Sequence, residues 1–220
     1  MTSNVTSTER GTFITVEGVH GAGKTTLIAR LSDRLRSLSV PVASVIDLRA
    51  TDVGRQLRAI ILSRSAEALP PITEALLIAA ARHQSAREVI MPHLAKGQVV
   101  ISERHNDAFF AFQGYGRGLP HPFLTTVAEA AADGLRPDLT ILLDVDPKRA
   151  LQRIPEADKH RIEHEPIAFH ERVRAGYLAM AQRYPARVRV IDATLSEEVV
   201  EAQSWVLVSA LLRLGVGTDS

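Results

Sequence analysis

The chain has 220 residues, 45% apolar and 23% charged, with a net charge of +1, the composition of one ordinary globular domain with a sizeable core. Its basic residues are scattered, so no broad nucleic-acid or membrane surface is expected, and no apolar run approaches the ~20 residues of a bilayer span. Cysteine is absent, which excludes disulfides and thiolate metal sites.

Residues 1–11 begin with a polar stretch that lacks an apolar signal core and read as a flexible tail, which makes a cytoplasmic protein the default. Residues 12–214 read as a single domain. Thr12–Val16 is apolar and β-branched, a short buried strand. Gly18-Val19-His20-Gly21-Ala22-Gly23-Lys24-Thr25 then fits G-x-x-x-x-G-K-[ST], and Leu27, Leu31, Leu35 and Leu38 follow at helical spacing. Strand, glycine-rich loop and helix are the context a phosphate-binding loop requires. Backbone N–H groups of residues 18–26, Thr26 included, would face an anion, helped by the helix start. Lys24 would reach the β/γ-phosphates, and the Thr25 hydroxyl would ligate Mg²⁺. Lysine occurs only four times in the chain, so one at this position is informative.

Val40–Ile46 reads as a second strand and Val53–Ser63 as a short helix. Pro70-Pro71 breaks the chain, and Thr73 can cap a long helix to about Ala95. Gln98–Ser102 is a third strand, with Glu103-Arg104 at its end. Asp107–Phe112 reads as helix, followed by the loop Gln113–Gly118 and a helix over Pro122–Ala132. Leu139–Leu143 is a fourth strand, closed by Asp144 and Asp146, which suit capping of the next turn. Residues 153–165 look like a charged, mobile segment. Phe169, Val173, Tyr177, Met180 and Tyr184 mark a helix, Val188–Ile191 a fifth strand, and Val200, Leu207, Leu211 and Leu214 a last helix. Alternating strands and helices predict an α/β, three-layer P-loop NTPase fold with about five parallel strands. Ligands of such sheets gather at the strands' carboxyl ends, bringing together the phosphate loop, Asp47–Gly54, Glu103-Arg104 and Asp144–Asp146. His20, His83, His105 and His121 lack metal-ligand spacing, so no zinc site is expected.

Several stretches resemble the thymidylate kinase family: "FITVEGVHGAGKTT" (Phe13–Thr26), "LLIAAARH" (Leu76–His83), "ERHNDAFFAFQGYGRGL" (Glu103–Leu119), "RPDLTILLDVDP" (Arg136–Pro147) and "RIEHEPIAFHERVRAGY" (Arg161–Tyr177). The resemblance spans about residues 12–195. It implies transfer of the ATP γ-phosphoryl, with Mg²⁺, to dTMP or a related pyrimidine nucleotide, by a homodimer. By the same resemblance Arg104 would hold the acceptor phosphate, Arg82 the base carbonyl, and Gln113, next to Phe112, would face the base. Ile78 and Arg82 are four apart and share a helix face. Glu103 takes the place of a metal-orienting aspartate. Gly21 replaces a phosphate-loop arginine, so positive charge should come from Arg153, Lys159 and Arg161 in the lid, 153–165.

The acceptor side departs from the family pattern. His20 stands where a carboxylate meets the sugar hydroxyl, Ile78 where a phenylalanine stacks on the base, His105 where an aromatic follows the arginine, and Ala108 where a small hydroxyl residue lies. Of the shortened loop Asp47–Gly54, Arg49 is the residue expected at the acceptor. These departures leave open a paralogue that phosphorylates another nucleoside or small metabolite, while Glu103 and the arginine-poor lid leave open a non-catalytic nucleotide-binding protein.

Overall fold

Phe13–Gly18 (β1) is buried at all six positions, as a strand must be when helices cover both faces of its sheet. The structure, a computed structural model, describes residues 10–63 and 69–214. Among these, β1 lies at the centre of a five-stranded parallel sheet with Val42–Ile46 (β2), Val99–Glu103 (β3), Leu139–Asp144 (β4) and Val188–Asp192 (β5), in the order β2-β3-β1-β4-β5. The chain leaves β1 for one side of the sheet and returns to the other for β4, so a switch point lies at the carboxyl end of β1. The register makes this concrete. Val16 is level with Glu103, Ile46 with Glu103, and Gly18 with Leu143.

The helices are Lys24–Ser37 (α1), Asp52–Leu62 (α2), Pro71–Ser85 (α3), Met91–Ala95 (α4), Asn106–Phe109 (α5), His121–Ala132 (α6), Pro147–Gln152 (α7), Ile167–Arg183 (α8) and Glu197–Leu211 (α9). α3 runs into α4 through a π-helical turn at Ala86–Ile90, and α5 continues as a π-helix over Phe110–Gly116. α1 packs against α9, with the Arg34 guanidinium 4.4 Å from the centre of the Trp205 ring. α8 packs on the π-helix so closely that a Cβ on Gly116 would come within 2.7 Å of the Phe169 ring. Polar groups buried in the sheet are paired. Thr15 and Thr140 share a 2.7 Å hydrogen bond, and Asp107 accepts from Thr140 (3.1 Å) and doubly from Arg187 (2.6 and 2.8 Å).

Several local expectations are corrected. α3 starts at Pro71 with Pro70 before it, not at a Thr73 cap; proline needs no N–H at a first helical position. Gln113–Gly116 is π-helix rather than loop. On α9 the buried face is Val200, Ser204, Trp205 and Val208, while Leu211 is exposed. Tyr184 and Leu38 end outside the core, each just past its helix. Asp146 caps α7 as expected, but Asp144 instead takes a double hydrogen bond from Arg174, 2.7 Å at each oxygen. The first nine residues of the expected tail lie outside the described residues. Arg10 pairs with Asp138 at 2.7 Å, and Gly11 N–H donates to the Leu94 carbonyl at 2.8 Å.

The difference between the two ends of the α1 stripe is measurable. Leu31→Ala, at a fully buried position, should cost about 2–5 kcal/mol in urea unfolding. Leu38→Ala should stay within about 0.5 kcal/mol.

Candidate active site

The carboxyl ends of β1, β2 and β3 open onto a cleft of about 960 Å³ lined by residues 20–27 of the phosphate loop, Arg49, Ile78, Arg82, Glu103, Arg104, Phe112, Gln113 and Arg153. Gly18 and Val19 form the turn beneath it. The Val19 carbonyl accepts from Lys24 Nζ at 2.9 Å. Gly21 has φ +78°, and a Cβ there would come within 2.0 Å of the Ala150 carbonyl oxygen. No arginine could replace it without moving α7. α1 begins at Gly23 with no side-chain cap and no acidic residue in its first turn, which leaves its amides and positive dipole end to the cleft.

Lys24 is buried, and burial, with Arg104 adding repulsion, pushes its amine down to about 7. A phosphate bound beside it would reverse that effect. The Thr25 hydroxyl donates to Glu103 Oε2 at 2.7 Å. Burial works against ionised Glu103, but Lys24, the Thr25 hydrogen bond and Arg104 outweigh it and hold the carboxyl low. A hydroxyl and a carboxylate side by side form a hard-oxygen pair that suits Mg²⁺. No group of three or more metal-ligating side chains occurs among the described residues.

Arg104 has φ +74°, a left-handed conformation that costs a non-glycine residue about 1 kcal/mol or more. Its surroundings hold it there. Arg104 Nη1 donates to the Tyr177 hydroxyl (2.9 Å), which donates to Glu17 Oε2 (2.9 Å), while Glu17 Oε1 accepts the N–H of His105 (2.7 Å). The guanidinium lies 4.8 Å from the centre of the Phe112 ring, and its buried Nη2 has no partner among the described residues. Burial, with Asp107 adding, pushes the Glu17 carboxyl up to about 7.

On the far wall, Asp47 Oδ2 receives Arg82 Nε at 2.8 Å and Nη2 at 2.7 Å. Ile78 and Arg82 do share the cleft-facing side of α3. His20 Nδ1 stands 2.8 Å from Glu163 Oε1. Burial and Arg104 push the imidazole down to about 4, whereas the His20 contact keeps the Glu163 carboxyl low despite burial.

Three expected site residues are placed elsewhere. His105 is wholly buried behind the cleft, edge-on to Phe13 at 5.2 Å between ring centres, because the left-handed turn at Arg104 throws it inward. Arg161 is turned away from the phosphate loop: it donates to the Ile61 carbonyl (3.1 and 3.0 Å) and to Glu74 Oε2 (2.5 Å). Lys159 pairs with Glu156 on the surface at 2.8 Å. Of the three lid cations only Arg153 lines the cleft, with Nη2 3.2 Å from the Ala193 carbonyl. Sequence reasoning missed Arg58, Glu74 and Glu163, which line the cleft, and Glu17 and Tyr177 behind Arg104. Arg58 was detectable as the one charged residue on the Gly54–Arg58–Ile61 face of α2, whose other two members are buried.

The described residues contain no helix long and apolar enough to cross a membrane. His105 gives a pH signature. Burial, with Arg82 adding, pushes its imidazole down to about 3. The unfolded chain therefore takes up a proton that the folded chain refuses, and stability falls as pH drops below the ordinary histidine range. His105→Phe removes this loss, so its stability relative to wild type should rise by about 1–2 kcal/mol from pH 7 to about pH 5. Urea unfolding at the two pH values measures the difference, and equal pH responses would contradict the burial of His105.

Residues 16–204 match the family model described as thymidylate kinase. Thymidylate kinase from Deinococcus radiodurans is 42% identical over 201 residues, covering 91% of this chain and 97% of that protein. The enzyme of that name from Cupriavidus pinatubonensis is 45% identical over 206 residues, covering 92% and 100%. The crystal structure of thymidylate kinase from Ehrlichia chaffeensis is similar with a TM-score of 0.73 at 26% identity, over 90% of this chain and 99% of that one.

Proposed function

Since the chain belongs to the thymidylate kinase family, we infer that it is a nucleoside monophosphate kinase that transfers the γ-phosphoryl of ATP to dTMP. The observation that carries this reading is a single cleft whose walls hold a phosphate loop, Arg104, and the Arg82–Gln113 pair. A triphosphate and a monophosphate nucleotide need those groups in one enclosure. Phosphoryl transfer needs positioning and charge neutralisation more than a protein nucleophile.

The roles of individual residues belong to the proposal. The amides of residues 18–26 and the Lys24 amine would hold the β/γ-phosphates. Thr25 and Glu103 would hold Mg²⁺, whose chemistry is to neutralise charge between the transferring oxygens. Arg104 would receive the acceptor phosphate on its open Nη2, with Arg49 and Arg58 as further cations. Arg82, Gln113, Ile78 and Phe112 would line the base, and His20 the sugar. Arg153 would supply lid charge at the nucleotide end, a role Arg161 leaves to it. A cytoplasmic homodimer completes the proposal.

Steady-state assays with Mg-ATP and dTMP should show turnover, and Lys24→Ala should lower kcat/KM about a hundredfold or more. Wild-type protein inactive on dTMP and on other nucleotides would overturn the assignment. Tyr177→Phe keeps the ring but removes the hydroxyl that steadies Arg104. It should raise KM for dTMP about tenfold while leaving KM for ATP within about twofold. Equal changes for both substrates would show that Tyr177 does not act through Arg104.

A further inference from the structure

Glu74, in the first turn of α3, is the most heavily bonded carboxylate in the cleft. It is 2% exposed. It receives Gln113 Nε2 at 2.7 Å, Arg117 Nε and Nη2 at 3.2 Å each, and Arg161 Nη2 at 2.5 Å. A carboxylate clasped by two guanidinium groups can only accept. The edge of the Gln113 amide turned to it must therefore be the NH₂ group, and Oε1 must point the other way. Gln113 is 1% exposed and lines the cleft. Farther along α3, Arg82 adds a guanidinium fixed by Asp47. The wall thus offers one acceptor and one donor, and their order is set from behind.

We propose that Glu74 selects the acceptor base by locking the Gln113 amide with its carbonyl toward the cleft, beside the Arg82 donor. A ring that carries an N–H next to a carbonyl, as thymine and uracil do, satisfies both groups. Cytosine presents a ring-nitrogen lone pair and an amino group, so it would meet Oε1 lone pair to lone pair and Arg82 donor to donor. This inference rests on the reading that Gln113 and Arg82 face the base, and the variants below separate the two. Glu74 is a positioning residue, acting through Gln113.

In Glu74→Gln the single carbonyl oxygen goes to Arg117 and Arg161. The new NH₂ then faces Gln113, which must turn its own NH₂ to the cleft. Glu74→Asp keeps the charge for the arginines but falls short of Gln113, freeing the amide to rotate. The measured quantity is the ratio of kcat/KM for dTMP to that for dCMP, which does not depend on the fraction of protein folded. Both variants should lower it at least about tenfold. Arg117→Gln, which loosens the same cluster but leaves Glu74 on Gln113, should keep it. A wild-type ratio in both Glu74 variants, with a lowered ratio in Gln113→Leu, would overturn the role of Glu74 alone. An unchanged ratio in Gln113→Leu would remove the base-facing reading and this inference together. A fall in Arg117→Gln as large as in Glu74→Gln would also overturn it, by showing that loosening of the cluster suffices.

Discussion

Lys24 is buried and Arg104 half-buried at the carboxyl end of the sheet, close enough that Arg104 disfavours the charged Lys24 amine. This pair of crowded cations is the constraint around which the cleft is built. Removing two cations from water costs several kcal/mol unless partners surround them. The chain supplies partners from behind and from the sides: Glu17 through Tyr177, and Glu103 through Thr25. None of these carboxylates fills the space in front, because Arg104 Nη2 stays without a partner among the described residues. A site that balances its cations from the rear and leaves their faces open is suited to a doubly charged anion. The strained backbone at Arg104 belongs to the same balance. It directs the guanidinium at the cleft and the next side chain, His105, into the protein.

The parts legible in the sequence are those whose determinants are local. The glycine spacing of the phosphate loop, the alternation of strands and helices, and the four-residue offset of Ile78 and Arg82 need only a few consecutive residues to decide them, and each is realised. The failures turn either on partners distant in sequence or on one residue's backbone conformation that composition does not reveal. Arg161 reads as a lid cation because it lies in a charged run, but Glu74 and the Ile61 carbonyl lie 87 and 100 residues away and claim it. Gln113–Gly116 reads as loop because glycines weaken a helix. It is helical because α8 fits against it only where no side chain intervenes. His105 looks like a site residue because it follows one, and a single left-handed residue reverses its direction.

The departures on the acceptor side also gain a physical account. The carboxylate that the family pattern would place at position 20 is absent, but a carboxylate still reaches the spot, since Glu163 comes from the lid to His20 Nδ1. Burial holds the imidazole neutral, and a neutral imidazole keeps one ring nitrogen as an acceptor. A hydroxyl can donate to that nitrogen as it would to a carboxylate oxygen. The exchange preserves the hydrogen-bonding sense of the position while removing its charge. It therefore weakens the argument for a repurposed acceptor site that rests on His20.

Gly21 and the lid complete the argument about charge. A side chain at position 21 is excluded by the Ala150 carbonyl, so the phosphate loop has no room for an arginine. The lid delivers only Arg153 to the cleft and spends Arg161 on Glu74. The same contact that withholds Arg161 from the nucleotide end binds the lid to the helix carrying Ile78 and Arg82. Glu163 and Glu165 reinforce this through His20 and Arg117. Three polar contacts from one short segment thus hold the lid, two reaching Glu74 and Arg117 beside the acceptor wall and one reaching His20 in the phosphate loop. A lid held this way brings only Arg153 of its cations to the cleft that holds Lys24, so order in its contacts to Glu74, Arg117 and His20 and exclusion of water from the cleft go together.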